Sequence, residues 1–250
     1  MHKKPWSNLK KLIVIMSVTV AVVAVVTAIE IYVNDYYEAT ETATRAMLGS
    51  DLVQVTEEED NYVFTPVDTE IKGGIIFYPG GKVEETAYAP LMTMLAETGY
   101  QVYLVHMPVR LAVLDSGAAD DIIEAHSEIT DWTMMGHSLG GAMAAYYTSK
   151  HTDTIENLVL LAAYSTRDLS DSDVNVYCFY GSEDGVLNLE KFEENRSNLP
   201  EDAYIEVIEG GNHADYAYYG AQDGDGLATI SREAQQQEVL DVLIYCGVLE

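Results

Sequence analysis

Positive charge is scarce in this sequence. Its 250 residues hold 13 Lys and Arg against 41 Asp and Glu, a formal net charge of −28. So acidic a chain repels nucleic acid and anionic lipid, and no nucleic-acid partner is expected. The ordinary role of such a surface is to stay solvated and soluble. Cysteine is nearly absent as well. Cys178 and Cys246 form no C-x-x-C pair and neighbour no Cys/His cluster, which argues against a structural zinc. Cys178 sits in an apolar strand-like run and Cys246 in the last helical stretch, so both are expected as free thiols rather than a disulfide. Tryptophan is sparse, 2 residues against 18 tyrosines, and no internal repeat or low-complexity tract occurs. What remains is a globular composition, 48% apolar, with material for a sizeable core.

Acid is missing from one place. Residues 1–29 contain four lysines, Lys3, Lys4, Lys10 and Lys11, and the first acid is Glu30. Within this segment Leu12 to Ala28 carries no charge at all. As a helix it spans about 26 Å, and continued to Val33 about 33 Å, close to a bilayer core. The reading is a basic cytoplasmic tail at 1–11, a single transmembrane anchor at 12–33, a polar stalk at 34–50 and a catalytic domain at 51–250. The lysines hold the N-terminus in the cytoplasm and put the domain outside the membrane. Two alternatives stay open. Val26-Thr27-Ala28 resembles a signal-peptide cleavage site, which would release a secreted protein, and the apolar run could be a buried helix of the fold.

From residue 51 onward strand and helix signals alternate. "LVQVT" and "NYVFTPV" open as a β-pair, and "GGIIFYPGG", "YQVYLVHMP", "DWTMMGH", "IENLVLLAA", "VNVYCFYG" and "AYIEVIEG" follow as strands. Helical stretches lie between most of them, and a last helix follows Ser231. The expected fold is α/β: a mostly parallel sheet with helices on both faces and its reactive loops at the carboxyl ends of the strands.

At one such end stands Gly136-His137-Ser138-Leu139-Gly140, a G-x-S-x-G pattern between a strand and a helix of small residues. Glycines there permit the tight turn that lifts a serine hydroxyl out of the sheet. Serine is a poor nucleophile until a base takes its proton. The adjacent His137 is badly placed for that, because neighbouring residues leaving a strand point to opposite faces. It reads as a packing or hydrogen-bonded histidine. The next two strand ends supply better partners. "GSED" ends one strand with Asp184, and "GGNHADY" follows another with His213. Asp184 would orient the imidazole of His213, which would shuttle the proton of Ser138. Glu183 and Asp215 are the rival acids, while His106, His126 and His151 read as structural, with no matching acid nearby. The oxyanion would be met by two backbone N–H groups, that of Leu139 and that of Gly81 in the "YPGG" loop. The stretch Asp223-Gly-Asp225-Gly226 lacks the further acids of a calcium loop and reads as a turn leading to Ser231 as helix N-cap.

Together "YPGG", "GHSLGG", "GSED" and "GGNHADY" resemble the α/β-hydrolase superfamily over residues 50–250. The likeness is to its small, cap-less bacterial branch, similar to dienelactone-hydrolase-like proteins. That resemblance implies an α/β-hydrolase fold, catalytic Ser138, Asp184 and His213, an oxyanion hole at Gly81 and Leu139, and no metal or organic cofactor. Where dienelactone hydrolases carry cysteine this chain carries Ser138, which points to esters, thioesters or amides. No long insertion separates the strand ending near Ala163 from "VNVYCFYG", so an open pocket is expected. The resulting expectation is a membrane-anchored extracytoplasmic serine hydrolase acting on a small ester or related acyl compound. The alternatives are a peptidase or acyltransferase on the same triad, or a non-catalytic binding protein of this fold.

Overall fold

The computed structural model describes residues 8–249. Lys3 and Lys4 of the expected basic tail lie outside the described residues. The chain divides into two compact units, residues 1–36 and 37–250.

The first unit holds one helix, α1 (Asn8–Asn34), 27 residues long with no buried side chain. Its most apolar 18-residue window has a mean hydropathy of 2.9. At 1.5 Å per residue it extends about 40 Å, so it is a candidate transmembrane helix by length and composition. A signal sequence passes the same test of length and composition.

The second unit is built on eight strands. They are β1 (Val53–Glu57), β2 (Asn61–Pro66), β3 (Gly74–Tyr78), β4 (Gln101–Val105), β5 (Trp132–His137), β6 (Ile155–Leu161), β7 (Asn175–Gly181) and β8 (Tyr204–Ile208). Their order in the sheet is β1-β2-β4-β3-β5-β6-β7-β8. The hairpin β1–β2 and the pair β2–β4 are antiparallel, and every other pair is parallel. Every residue of β3 and of β5 is buried, as expected where helices cover both faces of a parallel sheet.

The helices of this unit are α2 (Glu41–Ala46), α3 (Ala89–Glu97), α4 (Ala119–Ala125), α5 (Leu139–Thr148), α6 (Leu189–Glu194) and α7 (Arg232–Tyr245). On one face Leu91, Met92 and Leu95 of α3 and Val239 and Leu243 of α7 share one core cluster with Phe77. On the other, Ile122 of α4, Ala144 of α5 and Phe192 of α6 share a second cluster with strand residues such as Ile76 and Leu158. The chain runs from β3 outward to β4, then crosses back to β5 on the other side of β3. Such a reversal opens a crevice at the carboxyl ends of the strands.

One boundary differs from the sequence reading. The segment from Tyr37 is part of the domain and not a stalk. Tyr37 forms a parallel bridge with Val83, and its N–H donates to the Lys82 carbonyl at 2.8 Å. Ala39 N–H donates to Glu84 Oε2, Thr40 N–H to the Tyr218 carbonyl, and Ala43 is fully buried. The partners lie 40 or more residues away, so a local polar composition concealed the packing.

Candidate active site

Ser138 follows the last residue of β5 and precedes the first of α5. Its backbone adopts φ 53°, ψ −121°, a region that costs a non-glycine residue about 1–3 kcal/mol. The surroundings hold it there. Its N–H donates to the Leu161 carbonyl at 2.9 Å, and its carbonyl accepts from Ala142 N–H at 3.0 Å, starting α5. Two glycines make the turn possible. A Cβ on Gly140 would lie 2.1 Å from the Tyr78 carbonyl oxygen, and one on Gly136 would lie 2.7 Å from the Gly140 backbone. The helix therefore starts in contact with the neighbouring strand, and any side chain would force them apart.

Asp184 stands in the turn after β7. Its Oδ1 accepts from Val186 N–H and Leu187 N–H, both at 2.8 Å. Its Oδ2 lies 2.9 Å from His213 Nδ1, with both side chains almost fully buried. A carboxylate can only accept here, so His213 carries its proton on Nδ1 and keeps the Nε2 lone pair free. His213 Nε2 is buried and has no hydrogen-bond partner in this conformation, Ser138 Oγ included. Ser138 and His213 nonetheless line one cavity of about 310 Å³, with Ala142, Ala162, Ala163 and Tyr164 among its walls. Such contacts often tighten only when substrate is bound.

The rival acids go elsewhere. Asp215 Oδ1 accepts from Arg232 Nη2 at 2.6 Å and Nε at 3.0 Å. Glu183 is exposed and reaches only Ser182 Oγ, at 3.4 Å. His106, His126 and His151 do have acids beside them, which the sequence reading did not find. His106 lies 3.0 Å from Glu85, His126 3.3 Å from Glu128 and His151 3.5 Å from Asp120. None of the three lines the cavity of Ser138.

His137 turns away from that cavity and is fully buried. Gly80 N–H donates to Tyr88 Oη at 3.0 Å, and the same oxygen lies 2.7 Å from His137 Nδ1. With its oxygen accepting from Gly80, the Tyr88 hydroxyl donates to Nδ1, which makes His137 the neutral Nε2–H tautomer. Burial, and then the charge of His213, hold the His137 pKa well below the usual histidine value. Its ring packs against His213 at 4.6 Å between centroids and against Tyr216 at 5.5 Å. His137 is thus a neutral platform under the cavity-facing histidine.

Gly81 and Leu139 are in contact. A Cβ on Gly81 would sit 2.9 Å from Leu139 Cδ2. The Gly81 N–H makes no hydrogen bond among the described residues. Leu139 opens α5, where a backbone N–H has no intrahelical partner. Two free donors beside Ser138 can stabilise a negative oxygen.

Sequence reasoning missed the groups that hold the His213 loop. Asp225 Oδ1 accepts from Gly185 N–H (3.1 Å), His213 N–H (3.2 Å) and Gly226 N–H (2.9 Å), and Oδ2 from Ala214 N–H (2.9 Å). One carboxylate therefore ties the Asp184 turn to the His213 loop. From α7, the fully buried Gln235 accepts from Asn212 N–H and donates to the Asn212 carbonyl, both at 2.9 Å. The available signals were an aspartate between two glycines and a glutamine on the apolar side of a helix.

Comparison with known proteins assigns the chain to a family. Residues 74–237 match the model of the alpha/beta hydrolase family. No curated protein matches the chain. Among solved structures, a CIB-like hydrolase from Thermoplasma acidophilum superposes with a TM-score of 0.55 at 17% identity, over 76% of this chain and 98% of that one. A thermophilic esterase from Thermogutta terrifontis gives 0.54 at 15% identity, over 81% and 94%. An α/β-hydrolase from the sediment metagenome of the Mar Chica lagoon, Morocco, gives 0.58 at 14% identity, over 78% and 99%. At such identities the likeness is one of fold, and the family match carries the conclusion: the chain belongs to the alpha/beta hydrolase family.

Proposed function

We propose that this protein is a serine hydrolase that cleaves short-acyl carboxylic esters through an acyl-enzyme. The observation that carries the reading is His213, held through Nδ1 by Asp184 and lining the cavity that Ser138 also lines. Ser138 Oγ attacks the acyl carbonyl while His213 Nε2 takes its proton, and Asp184 stabilises the imidazolium. The carbonyl oxygen becomes negative between the N–H groups of Gly81 and Leu139. The tetrahedral adduct collapses, the C–O bond to the alcohol breaks, and His213 returns the proton to the leaving oxygen. Water then enters, loses a proton to His213 and displaces Ser138, releasing the acid. Alanines 142, 162 and 163 make the acyl side of the cavity apolar and shallow, suiting a short chain.

Within the family we assign the chain to the cap-less, dienelactone-hydrolase-like branch. The link from β6 to β7, residues 162–174, contains no helix that could form a lid. The helix α1 serves as a membrane anchor with the domain outside, since lysines precede it and acids follow.

An esterase of this fold from Thermogutta terrifontis has been captured phosphoramylated by tabun. A fluorophosphonate probe on the full-length protein is the matching test. The intact chain should label and hydrolyse a short-acyl ester, and Ser138→Ala should do neither while melting normally. Turnover retained by Ser138→Ala, with contaminating esterases excluded, sinks the nucleophile assignment. Protease added to intact cells should remove the membrane-bound activity; full protection would reverse the topology.

A further inference from the structure

The N–H of Gly81 can meet an oxyanion only where the loop that carries it is held. Lys82, the next residue, is held through both of its backbone groups. Its N–H donates to the Arg110 carbonyl at 2.9 Å, and its carbonyl accepts from Tyr37 N–H at 2.8 Å. The first of these braces is strained. Lys82 has φ 61°, and Val109 and Arg110 have φ 46° and 61°. This left-handed region is costly for any residue but glycine, a β-branched one above all, and such outliers persist only where the surroundings over-determine them.

The second brace is the short segment from Tyr37 to Thr40. Tyr37 belongs to none of the eight strands, so the sheet is complete without it. Its carbonyl accepts from Glu84 N–H at 2.9 Å, and Glu84 Oε2 in return accepts from Ala39 N–H at 2.8 Å. The same segment grips the chain that follows His213. Thr40 N–H donates to the Tyr218 carbonyl at 2.7 Å. The Tyr37 ring lies 5.3 Å from that of Tyr219, and its Oη accepts from Asp223 N–H at 3.2 Å. Asp223 stands just before Gly224 and Asp225, and the Asp225 carboxylate accepts from His213 N–H. One segment thus touches both the loop of the oxyanion donor and the loop of the base. None of its residues lines the cavity of Ser138.

We infer, on the serine-hydrolase reading above, that Tyr37–Thr40 is a strap that positions the Gly81 N–H relative to His213, with Tyr37 as the positioning residue. The strap does not touch substrate. It fixes the residue after Gly81 and, through it, the direction of the Gly81 N–H. That donor gains its strength only as the carbonyl oxygen becomes negative. A loosened strap therefore raises the barrier and leaves substrate binding as it was.

The test is turnover of a short-acyl ester by the full-length protein in non-ionic detergent, well below the melting point. Tyr37→Ala removes the ring and the hydroxyl. It should lower kcat about tenfold or more, short of the about 10²–10³ for an oxyanion donor lost outright, with KM nearly unchanged. A trifluoromethyl ketone, whose serine adduct carries the same negative oxygen, should bind more weakly by the factor lost in kcat/KM. Tyr37→Phe keeps the ring and the backbone bonds and should restore most of the turnover. Glu84→Ala, which deprives Ala39 N–H of its acceptor, should reproduce part of the loss. Tyr177→Ala is the control, since it removes another partly buried tyrosine from the same core, on β7. It should lower Tm and leave kcat unchanged. Full turnover in Tyr37→Ala overturns the strap, as does a loss in KM alone or an unchanged ketone affinity. An equal loss of kcat in Tyr177→Ala would reduce the effect to general destabilisation and overturn it too. A wild type without turnover would instead overturn the serine-hydrolase reading, and the strap with it.

Discussion

Replacing Asp225 by Asn tests whether one carboxylate holds the Asp184 turn and the His213 loop in register. The side chain accepts four backbone N–H groups, from Gly185, His213, Ala214 and Gly226. The amide has the same shape but one acceptor oxygen and no charge. In its better orientation it keeps the three bonds at Oδ1 as neutral ones and turns an NH2 toward Ala214 N–H. Each bond to a charged group is worth about 1.5–3 kcal/mol and a neutral one about 0.5–1.5. Losing the charge on three bonds and the fourth bond outright amounts to roughly 4.5–7.5 kcal/mol. Asp225 is partly exposed, so water offsets some of this, and about 2–3 kcal/mol is expected. In a domain of this size that lowers Tm by about 5–10 °C. The larger effect should fall on turnover. A shift of His213 by about 1 Å relative to Ser138 costs about 10²-fold. Differential scanning calorimetry and ester turnover well below the melting point measure the two separately. Unchanged Tm and turnover would refute the clamp. Lowered Tm with full turnover would show that it stabilises the loops without setting the position of His213.

Asp184→Asn should reduce kcat by about 10⁴-fold, because the amide no longer holds the Nδ1–H tautomer, whereas Asp215→Asn should cost far less; comparable losses would leave the acid unassigned. His137 gives a pH signature. Its folded pKa is depressed, so the unfolded chain binds the extra proton at higher pH. Its contribution to stability is full above about pH 6.5 and is lost as pH falls below it, at up to about 1.4 kcal/mol per unit. Urea melts at falling pH should show that slope in the wild type and a shallower one in His137→Gln; parallel slopes contradict the neutral platform. Burial pushes the Cys178 thiol up to about 12, so it should stay unlabelled by a thiol reagent in the native protein and react only on unfolding.

Much of the architecture was legible because its causes are local. Apolar runs of five to seven residues bounded by glycines mark strands buried on both faces, and β3 and β5 are buried throughout. The turn at Ser138 was legible for the same reason: its glycines sit beside it in the chain. Placing Asp184 and His213 at strand ends followed from strand order, and both come to the same edge of the sheet. The helix α1 announces itself by its length and the uncharged run from Leu12 to Ala28.

The remainder depended on residues far apart in the chain. Nothing near Tyr37 or α2 reveals that they pack on Val83 and α3, because that surface exists only once the sheet has formed. Asp225 looked like a spare turn acid until folding brought Gly185, 40 residues away, within reach of its carboxylate. His137 could be assigned to the back of the sheet from alternation, but its partner Tyr88 is 49 residues off, and its contact with His213 joins two separate strand ends. Chain-local chemistry determined which residues could form strands, a strained serine turn and a membrane-length helix. Tertiary structure decided which polar groups lost their water and therefore had to find each other, because that cost arises only on burial.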